Sequence, residues 1–114
     1  MTTPGPNPAF GVAVDRQDRT LVARPAGELD LSTAPLLSGR LREHDDFDRL
    51  VLDLRSLDFM DSTGLRLLVA EQERAREGGY ELAIVRGSAE VDRLLELTRM
   101  DRRLPIVDAQ AAGV

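Results

Sequence analysis

The chain has 114 residues, 20 acidic against 15 basic, a net charge of −5, and 42% apolar but only 4% aromatic side chains. That length holds one core and not two; the acidic balance counts against direct nucleic-acid binding, which needs a basic face; and no apolar run approaches the roughly 18 residues of a membrane span. Without cysteine there is no disulfide framework or thiol chemistry, which fits a cytoplasmic protein, and since every basic residue is arginine, phosphate-loop and Schiff-base lysines are excluded.

Residues 1–8 carry no positive charge and no apolar stretch, so they are not a signal peptide; with Gly5 and three prolines they read as a disordered lead-in to one domain over 9–114. Residues 10–14 and 20–26 alternate around the polar turn Asp15-Arg16-Gln17-Asp18, which predicts an antiparallel hairpin. Ser32 or Asp30 can cap a first helix, with Pro35 in its first turn and Ala34, Leu37 and Leu41 on one face. An acidic turn over 43–48 leads to a nearly continuous apolar strand at 50–54, the pattern of a parallel strand covered on both sides. A short crossing loop follows. An amphipathic helix then runs over 62–77, with Leu65, Leu68, Val69 and Gln72 on its face, and stops at Gly78-Gly79.

Residues 80–85 predict another strand, and Ser88 caps a third helix with Val91, Leu94, Leu95 and Thr98 at core spacing. Residues 104–107 read as a short edge strand, since Pro105 argues against a central place; the tail to Val114 is left unassigned. Strand and helix alternate from Thr20 onward, which predicts an α/β domain with right-handed crossovers. The expected sheet is mixed and mostly parallel, with four to five strands and three to four packed helices.

The segment Phe59-Met60-Asp61-Ser62-Thr63-Gly64-Leu65 carries the functional signal. Two hydroxyls stand at a helix start, where unpaired N–H groups and the positive end of the macrodipole tolerate a phosphate. Such a site changes what a partner meets without unfolding its owner. A plain helix cap is the commoner role for a serine there, and a capping hydroxyl is also an exposed one. Asp61 supplies favourable charge at the helix end, orients the hydroxyl, or shapes a partner surface. Gly64 permits close approach of a partner or serves local packing. Phe59 is expected to be buried, Met60 partly exposed, and Asp58 a solvated loop carboxylate.

His44, the single histidine, lies among Glu43, Asp45, Asp46 and Asp48 without calcium-loop spacing, so a solvated acidic turn is the better reading than a metal site. Nothing in the pattern brings it to Ser62, which weakens a Ser-His-Asp hydrolase. Asp61-Ser62-Thr63-Gly64 is also not an aspartic-protease Asp-Thr-Gly, because an extra residue separates acid from glycine. No catalytic constellation and no cofactor site emerges.

The same segment resembles the phosphorylation segment of the anti-sigma factor antagonists, the bacterial STAS-domain family, and Gly27-Glu28-Leu29-Asp30 resembles the family's second signature. Spacing and element order match over residues 10–107. The resemblance implies a single small STAS-like domain whose phospho-acceptor is Ser62, with Thr63 as second candidate. It also implies a partner face of Glu28, Asp30, Met60, Asp61, Ser62, Thr63, Gly64 and Arg66. Many members carry a small residue where this chain has Arg66, which can pair with Asp61 or with a phosphate on Ser62. The implied partners are an anti-sigma factor that is also an ATP-Mg²⁺-dependent serine kinase, and a serine phosphatase that resets the cycle. A STAS interaction module without phosphate turnover, in a transport or stress-signalling complex, is the alternative; a small hydrolase using Ser62 is a third reading.

Overall fold

The computed structural model describes residues 10–114, so the expected lead-in at 1–8 lies outside the described residues. In chain order the elements are β1 (Gly11–Gln17), β2 (Thr20–Leu29), α1 (Ala34–Arg42), β3 (Arg49–Asp53), β4 (Leu57–Met60) and α2 (Ser62–Gly78). They are followed by β5 (Glu81–Val85), α3 (Ala89–Leu97), a short 3₁₀ turn (Met100–Arg102), β6 (Ile106–Val107) and α4 (Ala109–Ala112). The α/β class and the mixed sheet are as expected. Among the described residues there are six strands, one more than the four to five expected.

β1 and β2 form the expected antiparallel hairpin, but β1 runs through Asp15, Arg16 and Gln17, and the turn is tightened to Asp18-Arg19 with Asp18 at φ 54°. All other pairings are parallel, in the order β1-β2-β3-β5-β6, with β4 paired to β2. β2 is long enough to serve two partners in succession: Thr20–Ala23 pairs with β3, and Gly27–Leu29 pairs with β4. Its register shifts between Gly27 and Glu28. Gly27 takes φ 103° there, a left-handed conformation that side chains oppose, and its N–H reaches Ser56 O at 3.3 Å.

Period-2 alternation splits the sheet into two faces. Leu21, Ala23, Leu50, Leu52, Leu82 and Ile84 belong to the main core with Leu37 of α1, Leu68 of α2 and Leu95 of α3. Val22, Val51, Ala83 and Val85 form a smaller cluster covered by Ala112 of α4. The expected strand at 50–54 is thus buried on both faces, and each such leucine or valine contributes roughly 1.5–3 kcal/mol. β6 is the outermost strand, next to Pro105, as expected.

Several expectations about faces need correction. α2 buries Gly64, Leu67, Leu68, Glu71 and Ala75, so the stripe lies one position away from the expected Leu65, Val69 and Gln72; only Leu68 is shared. Gly64 and Glu71 carry no apolar signal, which shifts the apparent period onto their neighbours. On α3, Val91 and Leu95 are buried under the Ser88 cap, while Thr98 is exposed and donates its hydroxyl to Leu94 O at 2.7 Å. Ahead of α1 the cap position is held by Thr33, not Ser32 or Asp30. The acidic turn is tied down by Arg19, whose guanidinium lies 3.1 Å from Asp46 and 2.7 Å from Asp48.

Glu71 is a carboxylate only 3% exposed, facing Arg74 at 3.5 Å, with the charge of Arg42 of α1 nearby. Burial pushes its carboxyl above the usual range, and the two arginines offset only part of that. A raised folded-state pKa means that protonation favours the fold, so wild-type stability rises as pH falls through it. Glu71→Gln is therefore expected to be more stable than wild type at pH 8, with the difference shrinking as pH falls through the raised carboxyl pKa towards the ordinary carboxylate range. Urea denaturation across that range tests this, and a constant difference would refute it.

Candidate functional site

β2 and β4 run parallel and end together: Leu29 pairs with Met60, and the Asp61 N–H donates to Leu29 O at 3.2 Å. Asp30 and Asp61, the next residues of each strand, therefore leave the sheet side by side. The segment read from sequence as a crossing loop is in fact this β4. Its pairing exists only because β2 bulges at Gly27 and offers its outer half to a second partner.

Each aspartate organises its own exit. Asp30 Oδ1 accepts from the N–H and hydroxyl of Ser32 (3.0 and 2.8 Å) and from the N–H of Thr33 (3.2 Å). Thr33, buried, donates its hydroxyl to Glu28 O at 2.7 Å and locks the turn to the strand. Asp61 is the N-cap of α2: its Oδ1 accepts from Thr63 N at 2.8 Å and Gly64 N at 3.3 Å. Such a cap stabilises a helix by about 1 kcal/mol. Ser62 is thus the first residue of α2 and not its cap, and its exposed side chain lies outside the capping bonds.

The remaining candidates divide by burial. Glu28 and Arg66 are exposed, while Asp30, Asp61 and Thr63 are partly so. Among the described residues Arg66 makes no ion pair, so of its two candidate partners, Asp61 and a phosphate on Ser62, Asp61 is not engaged. Met60 is only 3% exposed and Phe59 is 42% exposed, the reverse of the expectation. Met60 packs under the first turn of α2, whereas Phe59 stands opposite Glu28 on the outer surface. Met60 and Gly64 therefore shape the site from beneath and do not form its surface. The sequence places α3 but not its contribution to the site: Arg93, Leu94 and Leu97 share a cavity of about 340 Å³ with Phe59 and Ser62. Exposed Leu97 was the available signal, an apolar residue at the end of α3 with no core to fill.

A STAS domain family model matches residues 11–112. The chain belongs to the STAS domain family. An anti-sigma-B factor antagonist of Staphylococcus aureus is 33% identical over 91 residues, covering 78% of this chain and 84% of that one. An anti-sigma F factor antagonist of Paenibacillus polymyxa is 28% identical over 100 residues, covering 85% and 86%. The crystal structure of an anti-sigma factor antagonist from Mycobacterium paratuberculosis superposes with a TM-score of 0.78 at 27% identity, covering 91% of this chain and 89% of the other. The curated relatives are thus antagonists of anti-sigma factors, and the STAS domain here has the fold of that group. No helix among the described residues is long and apolar enough to cross a membrane.

Gly64 holds this STAS site together mechanically. A Cβ there would fall 2.5 Å from Met60 Cγ and 3.0 Å from Leu29 Cγ, both on buried side chains. Gly64→Ala gains up to about 1 kcal/mol of helix propensity but incurs overpacking of roughly 1–3 kcal/mol. The expected result is a net loss of about 1 kcal/mol in urea denaturation, and a stabilised variant would show that α2 is free to lift off the strand ends.

Proposed function

We propose that this chain is an anti-sigma factor antagonist. Unphosphorylated, it binds an anti-sigma factor through the exposed side of the paired strand ends: Glu28, Asp30, Asp61, Ser62, Thr63 and Arg66, with Met60 and Gly64 supporting them from below. Binding frees a sigma factor for transcription. The partner is also a serine kinase that uses ATP and Mg²⁺ to phosphorylate Ser62, with Thr63 as second candidate. A serine phosphatase restores the binding form. The domain comprises residues 9–114, acts in the cytoplasm, and supplies a hydroxyl and a surface; base, metal and nucleotide belong to the kinase.

The observation that carries this reading is the position of Ser62. Its exposed side chain begins α2, yet Asp61 makes the cap, so modification of Ser62 leaves the helix start intact. The family membership and the curated relatives support the same partner class. A phosphate adds roughly −1.5 to −2 charge. Brought into an interface it incurs desolvation and repulsion; a loss of about 3–4 kcal/mol weakens binding several hundred-fold, enough for release.

Intact-mass measurement after incubation with candidate anti-sigma kinases and Mg-ATP, followed by site mapping, is expected to find one phosphate on Ser62. Ser62→Ala should bind the same kinase without being modified, and Ser62→Asp should lose binding. A candidate that binds the chain tightly yet never modifies it would favour a static STAS adaptor instead. An alanine variant that still gains a phosphate would move the acceptor to Thr63 or elsewhere.

A further inference from the structure

The next two helix donors beyond Ser62 are already engaged, since Asp61 Oδ1 accepts from Thr63 N and Gly64 N. A phosphate on Ser62 would arrive beside that carboxylate, and full positive counter-charge can come to it only from side chains. Eight of the 15 arginines form ion pairs with acids. Arg66 and Arg93 are exposed and make none among the described residues. Arg66 lies four residues beyond Ser62 on α2, within side-chain reach of it, and lines the groove on the α1 side of the helix with Thr63. Arg93 comes from α3 and lines the same cavity as Ser62, with Asp61 and Glu90 as the acids of that groove.

We propose that Arg66 and Arg93 form a clamp within the chain that holds a phosphate on Ser62, one along the helix and the other across the α2–α3 groove. This rests on the reading of Ser62 as the phosphorylated residue. The guanidinium fork matches phosphate oxygens two at a time, and a charge-assisted bond of that kind outcompetes the exposed carboxylate of Glu90, one turn before Arg93. In the unmodified chain both guanidiniums are available to acids of a partner. In the phosphorylated chain they are engaged internally, and Arg93 drawn towards Ser62 closes over Phe59 and Leu97, which are otherwise 42% and 72% exposed. Phosphorylation therefore withdraws two cations and an apolar patch from the partner as well as adding charge.

The test installs phosphoserine at position 62 of the full chain by genetic encoding, so that no kinase is required. The phosphate is then titrated by ³¹P NMR in wild type, Arg66→Gln, Arg93→Gln and, as a charge-matched control, Arg76→Gln, about 21 Å further along α2. Loss of either clamp arginine is expected to raise the second phosphate pKa by about 0.5–1 unit, and loss of both by more; the control stays at the wild-type value. An Arg93→Gln titration that coincides with the control overturns the clamp, including the case in which Arg66→Gln alone moves it. A chain that no kinase modifies would instead undo the phosphorylation reading and leave the titration result standing.

Discussion

The site depends on one strand having two partners. β2 gives its first half to β3 and its second half to β4, and the change of partner requires the left-handed bend at Gly27. Because β4 then runs parallel to the end of β2, the Asp61 N–H reaches Leu29 O, and two segments 31 residues apart leave the sheet together. Everything above that seam is local: Asp30 closes one turn, Asp61 caps α2, and Ser62 is left at the outer edge. Gly64 sets how closely α2 can sit on the seam, since its missing side chain is the space that Met60 and Leu29 fill.

Rigid support and an exposed hydroxyl make opposite demands on a site, and this geometry separates them. The residues under the site, Leu29, Met60 and Gly64, are buried and apolar, so they resist displacement. Asp30, Thr33 and Asp61 above them are tied to their own backbone turns, leaving Ser62 outside the bonds that hold the helix end. Under the proposed function, a phosphate on Ser62 would act on the surface and leave the fold beneath unchanged. The antagonists of anti-sigma factors among its relatives share that fold. Arg66, exposed near the start of α2, adds a positive charge to that surface.

Much of this was legible in the chain. Alternation over 10–26 marks the hairpin, the apolar run at 50–54 marks a strand buried on both faces, and Ser88 with Val91 and Leu95 marks α3. These signals are local, because pleat, helical period and cap all act within a few residues. β4 was not legible in the same way. Leu57-Asp58-Phe59-Met60 shows neither alternation nor a continuous apolar run; it is a strand because β2 presents an unpaired edge to it. For the same reason Phe59 and Met60 exchange their expected places: a segment read as a loop has no face, and the flexible Met60 chain fills the gap left by Gly64.

The sequence by itself determined the class of fold, the order of its elements apart from β4 and α4, and the placing of Ser62 at a helix start, since each follows from interactions between near neighbours. The tertiary structure decided which residue caps that helix, that Gly64 and Glu71 turn inward, and that α3 brings Arg93 and Leu97 alongside Ser62. Those outcomes depend on the register of β2 against β4 and the seating of α2 and α3 on the sheet, long-range contacts that no local pattern in the chain encodes.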